Sequence, residues 1–283
     1  MPAEANAEQI EYWNDQAGPR WVAMQEALDR QIEPLGLDAL AHAKVEVGER
    51  VLDIGCGCGQ STLELARRVG ATGRVQGVDI SEPMLARARE RALGLDQVTF
   101  LQADAQSHAF EAGAADLVFS RFGVMFFEDP AAAFANLRRA LRPEGRLTFL
   151  CWQGIAHNPW MREPMLAVAD QVELPPPPPP DAPGPMAFAD AERVEGLFRE
   201  AGYDEIASVP LHTEVALAGG GDLDEAAEFM LQIGPVARIA KLSGLSDLRP
   251  LRDGVRRVLE QHQTPDGVRM GAGIWIYQAR NPG

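Results

Sequence analysis

The chain has 283 residues, 46% hydrophobic and 24% charged, which suits a globular fold with one large domain or one domain plus an elaboration. With 26 basic and 41 acidic residues the formal charge is −15, which repels phosphate backbones and anionic headgroups and argues against a nucleic-acid partner. No basic stretch followed by an apolar run opens the sequence, and no apolar segment approaches the roughly 20 residues of a membrane helix, so the expectation is a cytoplasmic protein without integral membrane contact.

Residues 7–44 read as helical. Apolar positions recur at Ile10, Trp13, Trp21, Met24, Leu28, Ile32, Leu35 and Leu40, and Gly18-Pro19 and Pro34 are expected breaks. Two roles are open for this segment. It is either a helical layer over one edge of the core, or a lid in which Tyr12, Trp13 and Trp21 close over a ligand.

From Arg50 the pattern changes to short apolar runs separated by helical stretches. Strand Arg50–Ile54 runs into Gly55-Cys56-Gly57-Cys58-Gly59, and a helix begins near Ser61 or Thr62 and ends at Gly70. Glycines at 55, 57 and 59 permit positive φ and leave the backbone open to a ligand, while the helix start offers free N–H groups. The spacing decides between cofactor classes. A dinucleotide fold uses Gly-x-Gly-x-x-Gly, and the third glycine would fall on Gln60 or Thr62. Here the pattern is Asp53-x-Gly55-x-Gly57-x-Gly59 instead. Cys56-x-Cys58 has no second Cys or His pair at zinc spacing, so with Cys151 these are read as free thiols in a reducing compartment.

Strand two, Arg74–Ile80, carries Asp79 at its C-terminal end, and Pro83 opens the next helix. In a parallel sheet that end borders the ligand crevice, where a carboxylate can accept from both hydroxyls of a ribose. Strand three, Val98–Gln102, leads to Asp104 and Ala105, placed to meet an adenine edge. Ile80 and Met84 are placed to flank the base, although Met84 is equally open as helix core. Strand four, Asp116–Ser120, empties into Arg121-Phe122-Gly123-Val124-Met125-Phe126-Phe127. Ser120 is expected to face the far end of the ligand. Arg121 is either solvated or a carboxylate anchor, and two of Met125, Phe126 and Phe127 are expected in the core. A helix from Asp129-Pro130 to Leu141 and a Pro143-Glu144-Gly145 turn precede strand five, Arg146–Trp152. Strands alternating with helices over residues 45–152 predict a doubly wound, Rossmann-like α/β sheet.

Beyond strand five, residues 153–188 read as a proline-rich surface loop with an unbroken run from Pro175 to Pro180. Helix Asp190–Ala201, strand Glu205–Leu217, helices over 222–262 and a last strand, Val268–Ala279, complete one domain spanning 1–283. Of the five histidines, His42, His108 and His262 read as surface positions and His212 lies in a strand. His157, just past strand five, is the one candidate for a catalytic base.

Val51–Gly59, Gly77–Ser81, Gln102–Ala105 and Leu141–Leu147 together resemble successive motifs of the class I S-adenosylmethionine-dependent methyltransferases, similar to the ubiquinone/menaquinone C-methyltransferase and small-molecule group. The resemblance implies a seven-stranded sheet of order 3-2-1-4-5-7-6 with an antiparallel last strand, and S-adenosylmethionine as cofactor. The cofactor roles it implies fall on Asp53, Gly55, Gly57, Asp79 and Asp104. Trp21, Gly59, Thr62, Ile80, Met84, Ala105 and Ser120 are the further candidate contacts. Segments 153–188 and 222–262 lie outside the minimal fold, and with 7–44 they are expected to cover a small, fairly apolar acceptor. A homodimer is one assembly the sequence allows.

Overall fold

The computed structural model describes residues 6–283. Its centre is one sheet, built from the short apolar runs seen in the sequence. These are β1 (Arg50–Ile54), β2 (Arg74–Asp79), β3 (Val98–Gln102), β4 (Ala115–Arg121), β5 (Leu141–Trp152), β6 (Asp204–Ala216), β7 (Gln263–Thr264) and β8 (Gly267–Arg280). The order is β3-β2-β1-β4-β5-β8-β6, and the two-residue β7 forms a hairpin with β8. Strands β1 to β5 are parallel, while β8 runs antiparallel to both β5 and β6. The expected path of seven long strands is reproduced, with β7 as an addition. Strand order reverses between β1 and β4, which opens a crevice above their C-terminal ends.

The N-terminal segment forms α1 (Ala7–Glu11), a π-helical turn (Tyr12–Gln16), α2 (Ala17–Ala23) and α3 (Gln25–Ala43). Pro34 does not break α3, contrary to expectation. The buried face Leu28, Ile32, Leu35, Ala39 and Leu40 continues through it, and that packing outweighs the lost hydrogen bond. Two crossover helices follow, α4 (Gln60–Val69) and α5 (Glu82–Arg91). Helix α3 packs beside α4 on one face of the sheet. Helix α6 (Pro130–Ala140) covers the other face, its start capped by Asp129, which accepts from the Ala132 N–H at 3.0 Å.

Two further expectations are corrected after α6. The Pro143–Gly145 stretch is a bulge inside β5 and not a turn before it. Ala115 pairs with Leu141 and Leu117 with Arg146, so the extra residues are looped out, with Glu144 at φ +65°. Residues 153–188 are not loop throughout, because Pro159 begins α7 (Pro159–Ala167), using its fixed φ at the first helical position. The run Pro175–Pro180 belongs to no helix or strand.

Helix α8 (Ala191–Glu200) packs beside α6 under a cluster of Phe134, Phe149, Phe188, Phe198 and Tyr277. Helices α9 (Leu223–Gln232), α10 (Gly234–Ser243) and α11 (Arg249–Leu259) pack with α7 as a cap beside β8. Helix α9 starts at a capping box formed by Asp222 and Glu225. Among the described residues, no helix is long and apolar enough to cross a membrane.

Candidate functional site

The turn between β1 and α4 sits at the strand reversal, and its three glycines serve different purposes. All three have positive φ: +64° at Gly55, +55° at Gly57 and +84° at Gly59. A Cβ on Gly55 would lie 2.5 Å from Gly123 Cα, so this glycine is needed for the close crossing of two backbones. A Cβ on Gly59 would lie 3.0 Å from Ala88 Cβ, a contact made by α5. Only Gly57 faces a flexible group, with Met84 Cε 2.8 Å from where its Cβ would be. The sequence expectation that all three keep a ligand-facing surface clear is therefore narrowed to Gly57.

Asp53 is fully buried beneath this turn. Its Oδ2 accepts from Ser61 Oγ at 2.7 Å and Thr62 Oγ1 at 2.6 Å, while Oδ1 has no partner. Burial raises its pKa to about 6, against the opposing pull of the Thr62 and Ser61 hydroxyls and the Arg121 charge. Thr62 thus serves Asp53 rather than facing the crevice alone.

Asp79, at the end of β2, receives the Gly57 N–H at 2.8 Å on Oδ2 and the Ser81 N–H at 2.9 Å on Oδ1. Burial raises its pKa, and the backbone N–H groups of Ser81, Gly57 and Ile80 oppose that rise. Each oxygen keeps further lone-pair capacity for a ligand donor. Met84 is buried and turned toward the glycine turn, so it borders the crevice. Asp104 accepts from the Gln106 N–H at 2.9 Å and the Ser107 hydroxyl at 3.2 Å, and Asn136 fixes the neighbouring Ala105 carbonyl at 2.9 Å. Ser120 is fully buried and its Oγ accepts from the Gly123 N–H at 3.2 Å.

The N-terminal helices lie across this edge. Ser81 Oγ donates to the Trp13 carbonyl at 2.8 Å, and Asn14 bridges the Ile80 carbonyl at 3.0 Å and the Glu82 N–H at 3.0 Å. Gly18 permits this approach, since a Cβ there would fall 2.5 Å from Ser81 Oγ. Trp13 meets both Trp21 (5.8 Å) and Phe126 (5.1 Å) edge to face. Met125 and Phe127 are core. Within residues 7–44, α3 is a layer of the core, and the stretch leading into α2 lies against the end of β2 and Phe126.

His157 is exposed, its ring parallel to that of His212 at 5.4 Å, with His212 on edge strand β6. Among the described residues, no group of three His, Cys, Asp or Glu is placed to hold a metal. Sequence reading did not single out Asp29, Gln60 or Arg91 for any role, and left Arg121 open. Arg121 is mostly buried, bonds Gln60 and lies 3.7 Å from Asp29, so it is neither solvated nor free. No local pattern marks this group, because its members come from α3, α4, α5 and β4.

Residues 51–145 match the family described as methyltransferase domain. Aklanonic acid methyltransferase DauC from Streptomyces sp. (strain C5) is 36% identical over 118 residues, covering 41% of this chain and 54% of that protein. Demethylmenaquinone methyltransferase from Staphylococcus aureus (strain MRSA252) is 35% identical over 106 residues, covering 38% and 44%. The chain thus spans about half the length of these curated relatives. Among solved structures, Haemonchus contortus phosphoethanolamine N-methyltransferase 2 with S-adenosyl-L-methionine superposes at TM-score 0.53 with 22% identity, covering 88% of this chain and 53% of that one. The [4+2]-cyclase SpnF superposes at TM-score 0.52 with 22% identity, covering 88% and 80%. These two likenesses establish the fold, and the second shows that the fold alone does not dictate methyl transfer.

Proposed function

Because residues 51–145 are a class I methyltransferase domain, we propose that this protein transfers a methyl group from S-adenosylmethionine to a small, fairly apolar molecule. The observation that carries the reading is the crevice at the β1/β4 reversal, where a buried carboxylate oxygen, Asp53 Oδ1, is left without a donor. An unpaired buried acceptor is costly, and a cationic amino group would satisfy it. In this reading Asp79 receives the ribose hydroxyls, Ile80 and Met84 flank the base, and Asp104 and Ala105 meet its edge. Gly55 and Gly59 shape the turn, Gly57 lets the ligand approach, Ser120 borders the methionine end, and Trp21 closes the site through Trp13. The relatives named for aklanonic acid and demethylmenaquinone support a small-molecule acceptor.

S-adenosylmethionine, when bound, supplies a methyl already activated by its sulfonium. The work left to this chain is to hold the acceptor in line and keep water out. Helices α1–α2 and the cap of α7, α9, α10 and α11 would provide that cover. An exposed His157 paired with His212 is a poor base for a covered site, so alignment carries the rate. Cys56, Cys58 and Cys151 are all free and buried, which supports a cytoplasmic setting.

The test is a screen of phenols, amines and quinones with methyl-labelled cofactor. Label recovered in an acceptor supports the reading. Tight cofactor binding with no product from any acceptor class would make this a non-catalytic binding module.

A further inference from the structure

Among the described residues, two side chains that are at least nine-tenths buried hold an unpaired polar atom. One is Asp53 Oδ1 in the cofactor crevice. The other is Nε1 of Trp160, a residue 4% exposed with no partner for its indole N–H. Buried donors are nearly always paired, so an isolated one marks a place where a ligand completes the set.

Trp160 is tied to the cofactor crevice by a continuous run of rings. Gly123 is the residue that crosses Gly55, and Phe122 precedes it at the end of β4. Phe122 has φ +62°, a left-handed conformation uncommon for a bulky L residue. Its ring stacks on Trp152, at the end of β5, with centroids 4.2 Å apart and planes 13° from parallel. Trp152 in turn packs on Trp160 at 5.2 Å. Trp160 cannot drift, because Asn158, two residues before it, is fully buried and clamped to β8. The Asn158 Nδ2 donates to the Gly273 carbonyl at 3.1 Å, and its Oδ1 accepts the Gly273 N–H at 3.1 Å.

Resting on the methyltransferase reading, we propose that Phe122, Trp152 and Trp160 form the acceptor subsite. Its occupant is a planar aromatic molecule carrying a carbonyl or hydroxyl oxygen, and Trp160 Nε1–H donates to that oxygen. A run of stacked and tilted rings favours a planar aromatic neighbour by offset or edge-to-face contact. Aromatic faces alone would also suit a cation. The indole N–H removes that choice, since it is a donor only and repels another donor such as an ammonium. Trp160 is thereby a specificity-determining residue that orients the ring and takes no proton.

The experiment uses the full chain saturated with S-adenosylhomocysteine and 2-naphthol as probe, with naphthalene as the oxygen-free control. Wild type is expected to bind 2-naphthol more tightly than naphthalene. Trp160→Phe is expected to weaken 2-naphthol about tenfold while leaving naphthalene and S-adenosylhomocysteine unchanged. A second readout is the indole N–H spectrum of 15N-tryptophan-labelled wild type, which has five tryptophans and needs no folded Trp160 variant. The Trp160 signal, assigned by Trp→Phe changes at the other four, is expected to move downfield with 2-naphthol and not with naphthalene. Normal S-adenosylhomocysteine binding with no Trp160 response to 2-naphthol would overturn this subsite and leave the cofactor reading standing. Failure of wild type to bind S-adenosylhomocysteine would overturn both.

Discussion

Asp29 Oδ2 on α3 lies 2.8 Å from one terminal nitrogen of Arg91, and the other donates to the Cys58 carbonyl at 2.7 Å. One carboxylate in the N-terminal segment thus fixes the outer limb of the glycine turn through a single arginine. Arg121 reaches the same carboxylate from β4 and also bonds Gln60, the first residue of α4. The side chains of Asp29, Arg91 and Arg121 are only 13%, 20% and 11% exposed, so this is a largely dry cluster. Removing Asp29 leaves both arginines without their carboxylate partner.

Asp29→Ala is therefore expected to destabilise the fold by about 2–4 kcal/mol and to weaken S-adenosylhomocysteine binding at the same time. Thermal unfolding and calorimetry check the two effects. A double-mutant cycle with Arg91→Ala is expected to show strong non-additivity, because both changes break one contact. Additive effects would mean the pair does not hold the turn.

The glycines are expected to separate by what their missing side chain would meet. Gly55→Ala must push Gly123 backbone aside from 2.5 Å and hold alanine at φ +64°, a combined cost of about 2–4 kcal/mol. Gly57→Ala carries similar left-handed strain at φ +55° but meets only the flexible end of Met84, so it is expected to fold, to lose less stability than Gly55→Ala and to lose cofactor affinity besides. Equal melting temperatures for the two variants would contradict this division.

Asp53 gives a pH dependence with a definite sign. Its folded pKa of about 6 stands above the ordinary 3.8, so the folded chain binds the proton more tightly than the unfolded one. That contribution to stability is complete below pH 3.8 and is lost as pH rises through 6. At pH 8 the buried carboxylate costs roughly 3 kcal/mol, from about two pKa units. Asp53→Asn is expected to be more stable than wild type by roughly 1–3 kcal/mol at pH 8 and to lose that advantage near pH 4. Its affinity for S-adenosylhomocysteine at pH 8 is expected to fall, since the amino group loses its carboxylate. Urea melts at both pH values and a calorimetric titration at pH 8 check these outcomes.

His157→Ala is expected to change kcat by less than threefold once an acceptor is identified, well short of the roughly hundredfold to ten-thousandfold effect of losing a positioned base. A thousandfold fall, with loss of a limb of the pH–rate profile near neutrality, would restore His157 as a base.

Much of this architecture was legible in the chain itself. Short apolar runs, glycine stops and prolines at helix starts located β1 to β4 and α4 to α6 within a few residues, because local chemistry specifies them. What escaped were effects carried by long-range packing. Pro34 stays helical because Leu28, Ile32 and Leu35 anchor its helix, and Pro143–Gly145 stays in a strand because β4 pairs on both sides of it. The candidate site divides in the same way. Asp53, Asp79 and the glycines follow from spacing, whereas Asp29, Arg91 and Trp160 matter through partners more than 30 residues away or through the lack of one. No short-range pattern records either.

The most direct measurement is a calorimetric titration of wild type and Asp79→Ala with S-adenosylmethionine, S-adenosylhomocysteine and NAD. The account expects heat from both adenosyl ligands and none from NAD. It also expects a dissociation constant about tenfold to a hundredfold higher for a folded Asp79→Ala, the loss of hydrogen bonds to a charged group. NAD binding without heat from either adenosyl ligand would contradict it. So would an unchanged constant in Asp79→Ala, which would reduce Asp79 to a pin for the Gly57 and Ser81 N–H groups.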